Sequence, residues 1–174
     1  IIGRISRKKG QLFIVESLKD ELLNTPNLKL LIYGSATVND EDCQQYEKEL
    51  HSFVKKEKLD KSVIFHPHSS NVSSFFKSTH LFVLASESET YGMVTLEALF
   101  HQIPVLATKS GGTTDLLNQG EFGELYLHGN QIDFLKKFKN IQDNYSKTKK
   151  QAIQGHDFAM KNYTMELELS LIHI

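Results

Sequence analysis

Two glutamates separated by seven residues form the part of this sequence whose chemistry is most direct to interpret. Glu89 precedes residues 92–100, whose pattern indicates a helix, and Glu97 lies inside that segment. If the helix begins near Gly92, Glu97 lies about 7 Å along its axis at ~1.5 Å per residue. The first amides of a helix lack partners within it and carry partial positive charge. This arrangement favours an anionic ligand, with one acid in front of the amides and the other to their side.

A diphosphate on these amides would have a hydroxylated group at each end, each meeting one acid, and a nucleotide sugar has that shape. Two other interpretations stay open at this point. The acids are surface glutamates near a helix start, where acids are favoured, or they are the acid and nucleophile of a glycoside hydrolase, whose carboxyls lie ~5–9.5 Å apart. A hydrolase pair needs one raised pKa, and we expect neither acid to be buried.

A basic turn at residues 4–10 provides the second group of candidate residues. Arg4 and Lys9 follow a short apolar segment that indicates a strand, so we expect them to contact phosphate. Solvated surface charge is the ordinary alternative for such a turn. His66 and His68 lie two residues apart, but no third ligand with a suitable spacing follows, so a metal site is not predicted.

The elements that must position these residues alternate between short apolar segments and helical patterns. This alternation predicts an α/β fold, a Rossmann-like doubly wound parallel sheet with helices on both faces. Ligands of such sheets bind beyond the carboxyl ends of the strands. Predicted strands cover residues 1–5, 28–33, 62–65, 81–85, 103–107 and 124–127, the last at an edge. Predicted helices cover 11–23, 40–58, 71–77, 92–100, 113–118 and 131–162, the last range as one or two helices.

The polar turns after the predicted strands should open on one edge of the sheet. Within them we expect Ser35 to cap the following helix, with contact to the ligand as the alternative, and Tyr91 to pack over Gly92. Gly111-Gly112 is interpreted as a flexible turn, which either lines the ligand site or is a plain turn. The turns cover residues 4–10, 34–36, 66–71, 86–91 and 108–112.

The composition is that of an ordinary globular domain, with 174 residues, 40% hydrophobic and 24% charged. A net charge of −1 gives no argument for binding nucleic acid or a membrane. Cys43 is the only cysteine, which excludes an intrachain disulfide and a cysteine zinc cluster. No run approaches the ~18 apolar residues of a membrane span.

With these turns in place, the chain resembles the C-terminal domain of the family-4 glycosyltransferases, which have the two-domain GT-B fold. The central match is ETYGMVTLEA at residues 89–98, similar to a signature of two glutamates with an aromatic-Gly pair after the first and Glu-Ala at the second. Four further pairs match in order: Gly3-Arg4, Lys9-Gly10, Pro104-Val105 and Gly111-Gly112. The sequence departs from the family at residues 65–68, where a glycine is usual, and at Asp115, where glutamate is more frequent.

The resemblance implies a role for each candidate residue. Glu97 would accept hydrogen bonds from the ribose, and Glu89, the candidate catalytic residue, would bind donor-sugar hydroxyls near the reacting carbon. Arg4 and Lys9 would meet the diphosphate. The amides near the helix start would support the phosphates and sugar; they belong to Gly92, Met93, Val94 and Thr95.

The implied activity is retaining transfer of a hexose-type sugar from a UDP- or GDP-sugar to an acceptor hydroxyl, without a metal or other cofactor. The acceptor, a glycan, lipid or small molecule, would be held by an N-terminal domain outside this sequence, so the chain alone should not transfer. We expect a cytoplasmic location, with peripheral attachment of the full-length enzyme at the inner face of the membrane left open. The alternatives are a nucleotide-binding or interaction domain without transfer, and a nucleotide-sugar epimerase of the same fold.

We interpret residues 1–168 as the donor-binding domain, truncated at its N-terminus. Residues 169–174 break the preceding helical pattern and are similar to the translation of a sequencing-library adapter, so we expect a non-native tail. A natural hydrophobic tail is the alternative.

Overall fold

A computed structural model describes residues 1–67 and 72–163 of the chain. The predicted tail, residues 169–174, and His68 lie outside the described residues. The described part contains the strands β1 Leu30–Tyr33, β2 Val63–His66, β3 Phe82–Leu84, β4 Val105–Thr108 and β5 Glu124–Tyr126. It also contains the helices α1 Gln11–Ser17, α2 Lys19–Asn24, α3 Glu41–Lys56, α4 Val72–Phe76, α5 Met93–Phe100, α6 Gly111–Leu116, α7 Gln131–Asp143 and α8 Tyr145–Asn162.

The described residues form two compact units, and each is considered by itself. The first unit takes its residues from Ile1–Ser69 and Ala85–Glu87, and the second from Ser70–Leu84 and Ser88–Ile174. All strand pairs are parallel, as predicted, and they form one sheet in each unit, β1-β2 in the first and β3-β4-β5 in the second. In each unit the turns after the strands therefore leave from the same edge of that unit's sheet.

The predicted strand at residues 1–5 is wrong in extent, because only Ile2 forms a bridge with Tyr33. The segment lies beside β1, where the Gly3 amide donates to the Tyr33 carbonyl at 2.9 Å. A Cβ on Gly34 would lie 2.0 Å from the Gly3 carbonyl oxygen, and both glycines have a positive φ. Regular pairing is interrupted at these two glycines, since a regular strand does not adopt that conformation. Beyond them, the Ile5 amide donates to the Ser35 carbonyl at 3.1 Å.

The helices of the first unit cover its sheet with an apolar core. Residues of α1 and α3 are fully buried at the helical spacing expected from the sequence, among them Ile14, Val15 and Leu50. The predicted helix at residues 11–23 is divided at Leu18 into α1 and α2. The predicted cap of α3 is also wrong: Asp40, not Ser35, accepts the Cys43 amide at 3.0 Å. Asp40 directly precedes the helix, which is where a capping side chain reaches the first free amides.

The second unit holds α5 and α6 against its three-stranded sheet. Strand β5 lies at the edge, as predicted, and the Tyr126 hydroxyl donates to the Leu84 carbonyl of β3 at 3.0 Å. The prediction of a flexible turn at Gly111-Gly112 is wrong, because these residues begin α6. A positive φ of 45° at Gly111 explains why glycine occupies the first position of that helix.

Helix α8 anchors the carboxyl end of α5. A Cβ on Gly155 would lie 2.8 Å from Leu99 Cδ2, so glycine allows the two helices to approach closely. The Lys149 ammonium donates to the Gln102 carbonyl at 2.7 Å, just beyond the end of α5. These contacts fix the helix on which Glu97 lies.

Candidate functional site

The amino end of α5 has the geometry that the sequence predicts. Gly92 is the capping residue of the helix, with a φ of 68°, and it has no side chain to bond to the first amides. The first bond of the helical ladder runs from the Leu96 amide to the Gly92 carbonyl at 3.0 Å. The amides of Met93, Val94 and Thr95 precede that bond, so the ladder leaves them for another acceptor. This end of α5 can therefore bind an anionic group.

Glu97 is half-buried on the second turn of α5. Its neighbours Leu96 and Ala98 are buried in the core of the unit. Burial raises the pKa of the Glu97 carboxyl above its ordinary value. The expectation that neither acid is buried is thus wrong for Glu97. A ligand hydroxyl that donates to this carboxylate would offset part of the lost hydration.

The turn that carries Glu89 rests on the amino end of α6. The Gly112 amide donates to the Glu89 carbonyl at 2.9 Å. A Cβ on Gly111 would lie 2.0 Å from the Glu89 carbonyl oxygen, and one on Gly112 would lie 2.7 Å from the Thr90 carbonyl oxygen. Only glycine allows such close backbone contacts, which hold the backbone of Glu89 and Thr90 against the start of α6. Tyr91 is 77% exposed, so the prediction that it packs over Gly92 is wrong.

The side chain of Thr95 is fully buried, although its amide lies at the start of α5. Its Oγ1 lies 3.4 Å from the Oγ1 of Thr113, the third residue of α6, which is also fully buried. Thr95 can therefore offer a ligand only its backbone. Thr113 is not among the residues predicted for the site, although the Gly-Gly pair directly before it is a sequence signal of a close contact in this segment.

Arg4 and Lys9, the predicted phosphate-binding residues of the first unit, belong to a turn that is held by backbone and side-chain contacts. Arg4 is exposed, and Lys9 is half-buried in a 3-10 turn at Arg7–Lys9. The Gln11 side chain donates to the Arg4 carbonyl at 2.9 Å. A Cβ on Gly10 would lie 2.7 Å from the Ala85 carbonyl oxygen, and the Glu87 amide donates to the Lys8 carbonyl at 2.9 Å. The turn thus packs closely on Ala85–Glu87 of the same unit.

Arg7 links the basic turn to α3 through ion pairs, and the sequence pattern did not predict this contact. Its guanidinium contacts Asp42 at 3.1 Å and Glu49 at 3.0 Å, and it lies 5.3 Å from the centre of the Tyr46 ring. Hydrogen bonds to Glu49 and Asp42 raise the pKa of Arg7. Its charge is therefore matched by carboxylates of the protein.

His66, the remaining candidate among the described residues, is part of an aromatic pair. His66 stacks on Tyr33 with ring centres 4.4 Å apart. Within residues 1–67 and 72–163, no group of three His, Cys, Asp or Glu side chains is placed to hold a metal ion. Among the helices of the same ranges, none is both long and apolar enough to cross a membrane.

The comparison with known families agrees with this arrangement. Residues 1–157 match the family model described as Glycosyl transferases group 1. The chain belongs to this family. The match includes the basic turn, the Glu89 turn and all of α5 and α6.

A curated relative and two solved structures are similar over most of the chain. A probable sucrose-phosphate synthase of Thermosipho melanesiensis is 27% identical over 95% of this chain and 38% of its own length. The C-terminal domain of a glycosyl transferase group 1 family protein, LpcC, from Francisella tularensis has a TM-score of 0.81 and 28% identity, over 93% of this chain and 84% of that one. Anabaena HepE in complex with UDP-glucose has a TM-score of 0.84 and 23% identity, over 99% of this chain and 48% of HepE.

These similarities confirm the predicted fold, a Rossmann-like α/β domain that corresponds to the C-terminal half of a GT-B glycosyltransferase. The chain is much shorter than the curated relatives. It spans 38%, 35% and 33% of the lengths of the first three that it matches. The activity of the complete protein is therefore a matter of proposal.

Proposed function

We propose that this chain is the donor-binding domain of a retaining family-4 glycosyltransferase. The complete enzyme would transfer a hexose-type sugar from a UDP- or GDP-sugar to an acceptor hydroxyl. The observation that carries the proposal is the amino end of α5: three backbone amides precede the helical ladder, with Glu89 in the turn before them and Glu97 on the next turn of the helix.

A nucleotide sugar suits the chemistry of this segment. Its diphosphate would accept hydrogen bonds from the amides of Met93, Val94 and Thr95. Glu97 would accept from the ribose hydroxyls and Glu89 from hydroxyls of the sugar. The binding of UDP-glucose by HepE, a protein of the same fold, supports this class of ligand.

The departing nucleotide diphosphate needs positive charge in place of bulk water. Arg4 and Lys9 would supply it, together with the backbone amides of residues Gly92 to Thr95. An arginine is always charged and its donors match phosphate geometry. This is electrostatic assistance to a leaving anion, and we propose that it needs no metal or other cofactor.

The attacking hydroxyl would belong to a glycan, lipid or small molecule held by a domain that this chain does not include. We therefore propose that the chain binds donor but does not transfer sugar by itself. A cytoplasmic location and peripheral attachment of the complete enzyme to a membrane stay predictions.

Titration calorimetry of the chain with UDP, GDP and ADP tests the proposal. We expect saturable binding of UDP or GDP, weakened in an Arg4→Ala variant. Lys8→Ala is the matched control, since Lys8 is an exposed basic residue of the same turn that has no assigned ligand contact. If the folded wild-type chain binds none of the three nucleotides, the proposed donor site does not exist.

A further inference from the structure

The amino end of α6 contacts the Glu89 turn at three consecutive residues. Gly111 and Gly112 are too close to the backbone of Glu89 and Thr90 to carry a Cβ, and the Gly112 amide bonds to the Glu89 carbonyl. Thr113 continues this contact, since a Cβ on Gly92 would lie 3.1 Å from both its amide nitrogen and its Oγ1. The turn is thus supported along its length by a second helix.

Thr113 also joins α6 to α5 directly. Its hydroxyl and that of Thr95 lie 3.4 Å apart, and both side chains have no exposed surface. A buried hydroxyl is costly unless it is hydrogen-bonded, so each of these threonines depends on the other. The pair links the first turn of α5 to the first turn of α6, against which the Glu89 turn packs.

We propose that Thr113 is a positioning residue that sets the placement of Glu89, and through it the binding of the donor sugar. This inference rests on the proposed function, because it concerns the sugar end of the same ligand. Thr113 itself does not touch the ligand, since its side chain is fully buried.

Binding of the nucleotide and binding of the sugar should depend on Thr113 to different degrees. The α5 amides are oriented by the helix itself, whose ladder begins at the Leu96–Gly92 bond. The Glu89 turn precedes that ladder and is held by α6. Loss of the Thr113 hydroxyl should therefore affect the sugar more than the nucleotide.

The experiment measures two dissociation constants for each variant of the chain, one for UDP and one for UDP-glucose. GDP and GDP-mannose form the second pair of probes. We expect Thr113→Val to weaken the binding of UDP-glucose or GDP-mannose about fivefold to tenfold, and the binding of the bare nucleotide less than about twofold. Thr113→Ser keeps the hydroxyl, so the ratio of its dissociation constants for nucleotide sugar and bare nucleotide should equal the wild-type ratio.

A second variant pair separates positioning from stability. Thr95→Val combined with Thr113→Val removes both hydroxyls and leaves neither unpaired, so it should fold at least as well as the single variant. Like the single variant, it should lose more affinity for the nucleotide sugar than for the bare nucleotide. Thr148→Val is the matched control: this buried threonine of α8 donates to the carbonyl of Asn144, the residue before that helix, so loss of its hydroxyl should not change the relative affinities for nucleotide sugar and nucleotide.

The outcomes distinguish the two claims. If the wild-type chain binds no nucleotide or nucleotide sugar, the proposed function is refuted. If it binds them and both valine variants keep the wild-type ratio, the positioning role of Thr113 is overturned while the proposed function stands. An equal loss for nucleotide and nucleotide sugar would also overturn the role, since it would show a general structural effect.

Discussion

Replacing Glu97 with glutamine should weaken nucleotide binding and, at neutral pH, make the fold more stable. The two effects have opposite signs because the carboxylate is half-buried in the free chain, where burial raises its pKa. Ionisation of Glu97 therefore costs folding stability, and the proposed ribose contacts would recover that cost when ligand binds. Glutamine keeps the shape and one acceptor oxygen but has no charge.

The loss of affinity follows from the strength of hydrogen bonds to a charged group. Each contributes about 1.5–3 kcal/mol, compared with about 0.5–1.5 kcal/mol for a neutral pair, a difference of about 1 kcal/mol. Two ribose hydroxyls then give about 2 kcal/mol, or about 30-fold weaker binding of the nucleotide. Glu97→Ala removes the acceptor as well and should weaken binding at least as much.

The change in stability depends on pH with a definite sign. The pKa of Glu97 is raised above its ordinary value of 4.5 in the folded chain, so this chain binds more protons than the unfolded one between the two values. The contribution of Glu97 to wild-type stability therefore falls as pH rises through that window and stays low above it. Glu97→Gln lacks this titration. It should exceed the wild type in stability at pH 7, and the difference should vanish below the ordinary pKa.

Urea denaturation at pH 7 and at about pH 4, with calorimetry of UDP and GDP, checks both effects. Glu16→Gln is the control, since Glu16 is an exposed glutamate on α1 and should change neither quantity. Unchanged affinity with raised stability would show that Glu97 is buried but does not bind the ligand. Lowered stability at pH 7 would refute the assignment of an uncompensated, partly buried charge.

Three further perturbations test other parts of the structure. Arg4→Ala should weaken UDP or GDP at least tenfold, about 1.4 kcal/mol, in calorimetry, and an affinity equal to the wild type would remove Arg4 from the diphosphate site. In the complete enzyme, Glu89→Ala should lower turnover more than nucleotide affinity, and equal losses would contradict its place beside the reacting sugar. Gly155→Ala should destabilise the chain by about 1–3 kcal/mol in urea, because its Cβ would lie 2.9 Å from Phe122 Cβ, which cannot rotate away. A stability within error of the wild type would show that α8 moves away at little cost.

The sequence predicts local structure well where neighbouring residues determine it. The predicted start of α5 near Gly92 is confirmed, since the helix begins at the next residue, Met93. A glycine followed by an apolar helical pattern specifies such a boundary within a few residues. The parallel pairing of the strands is also confirmed, since strands alternating with helices require crossover connections.

The wrong predictions concern contacts between segments that are distant in sequence. The burial of Glu97 depends on how α5 packs in the second unit, which the pattern of the helix itself does not show. Gly111-Gly112 indicates a turn by composition, but the pair begins a helix because it contacts the backbone of Glu89 and Thr90. The roles of Arg4, Lys9, Glu89 and Glu97 toward a ligand stay predictions.

The two glutamates of the central stretch, Glu89 and Glu97, are held in place by contacts with different helices. Different substitutions should therefore displace each of them. Glu97 belongs to a helix whose carboxyl end is anchored by α8, through Gly155 and the Lys149 bond to the Gln102 carbonyl. Glu89 belongs to a turn that α6 supports through the Gly112 amide. Substitutions in α6 can therefore move the acid proposed for the sugar while the acid proposed for the ribose stays in place. On this argument, variation in sugar preference among proteins with this arrangement should arise in α6 and the Glu89 turn, with the α5 helix and its nucleotide contacts unchanged.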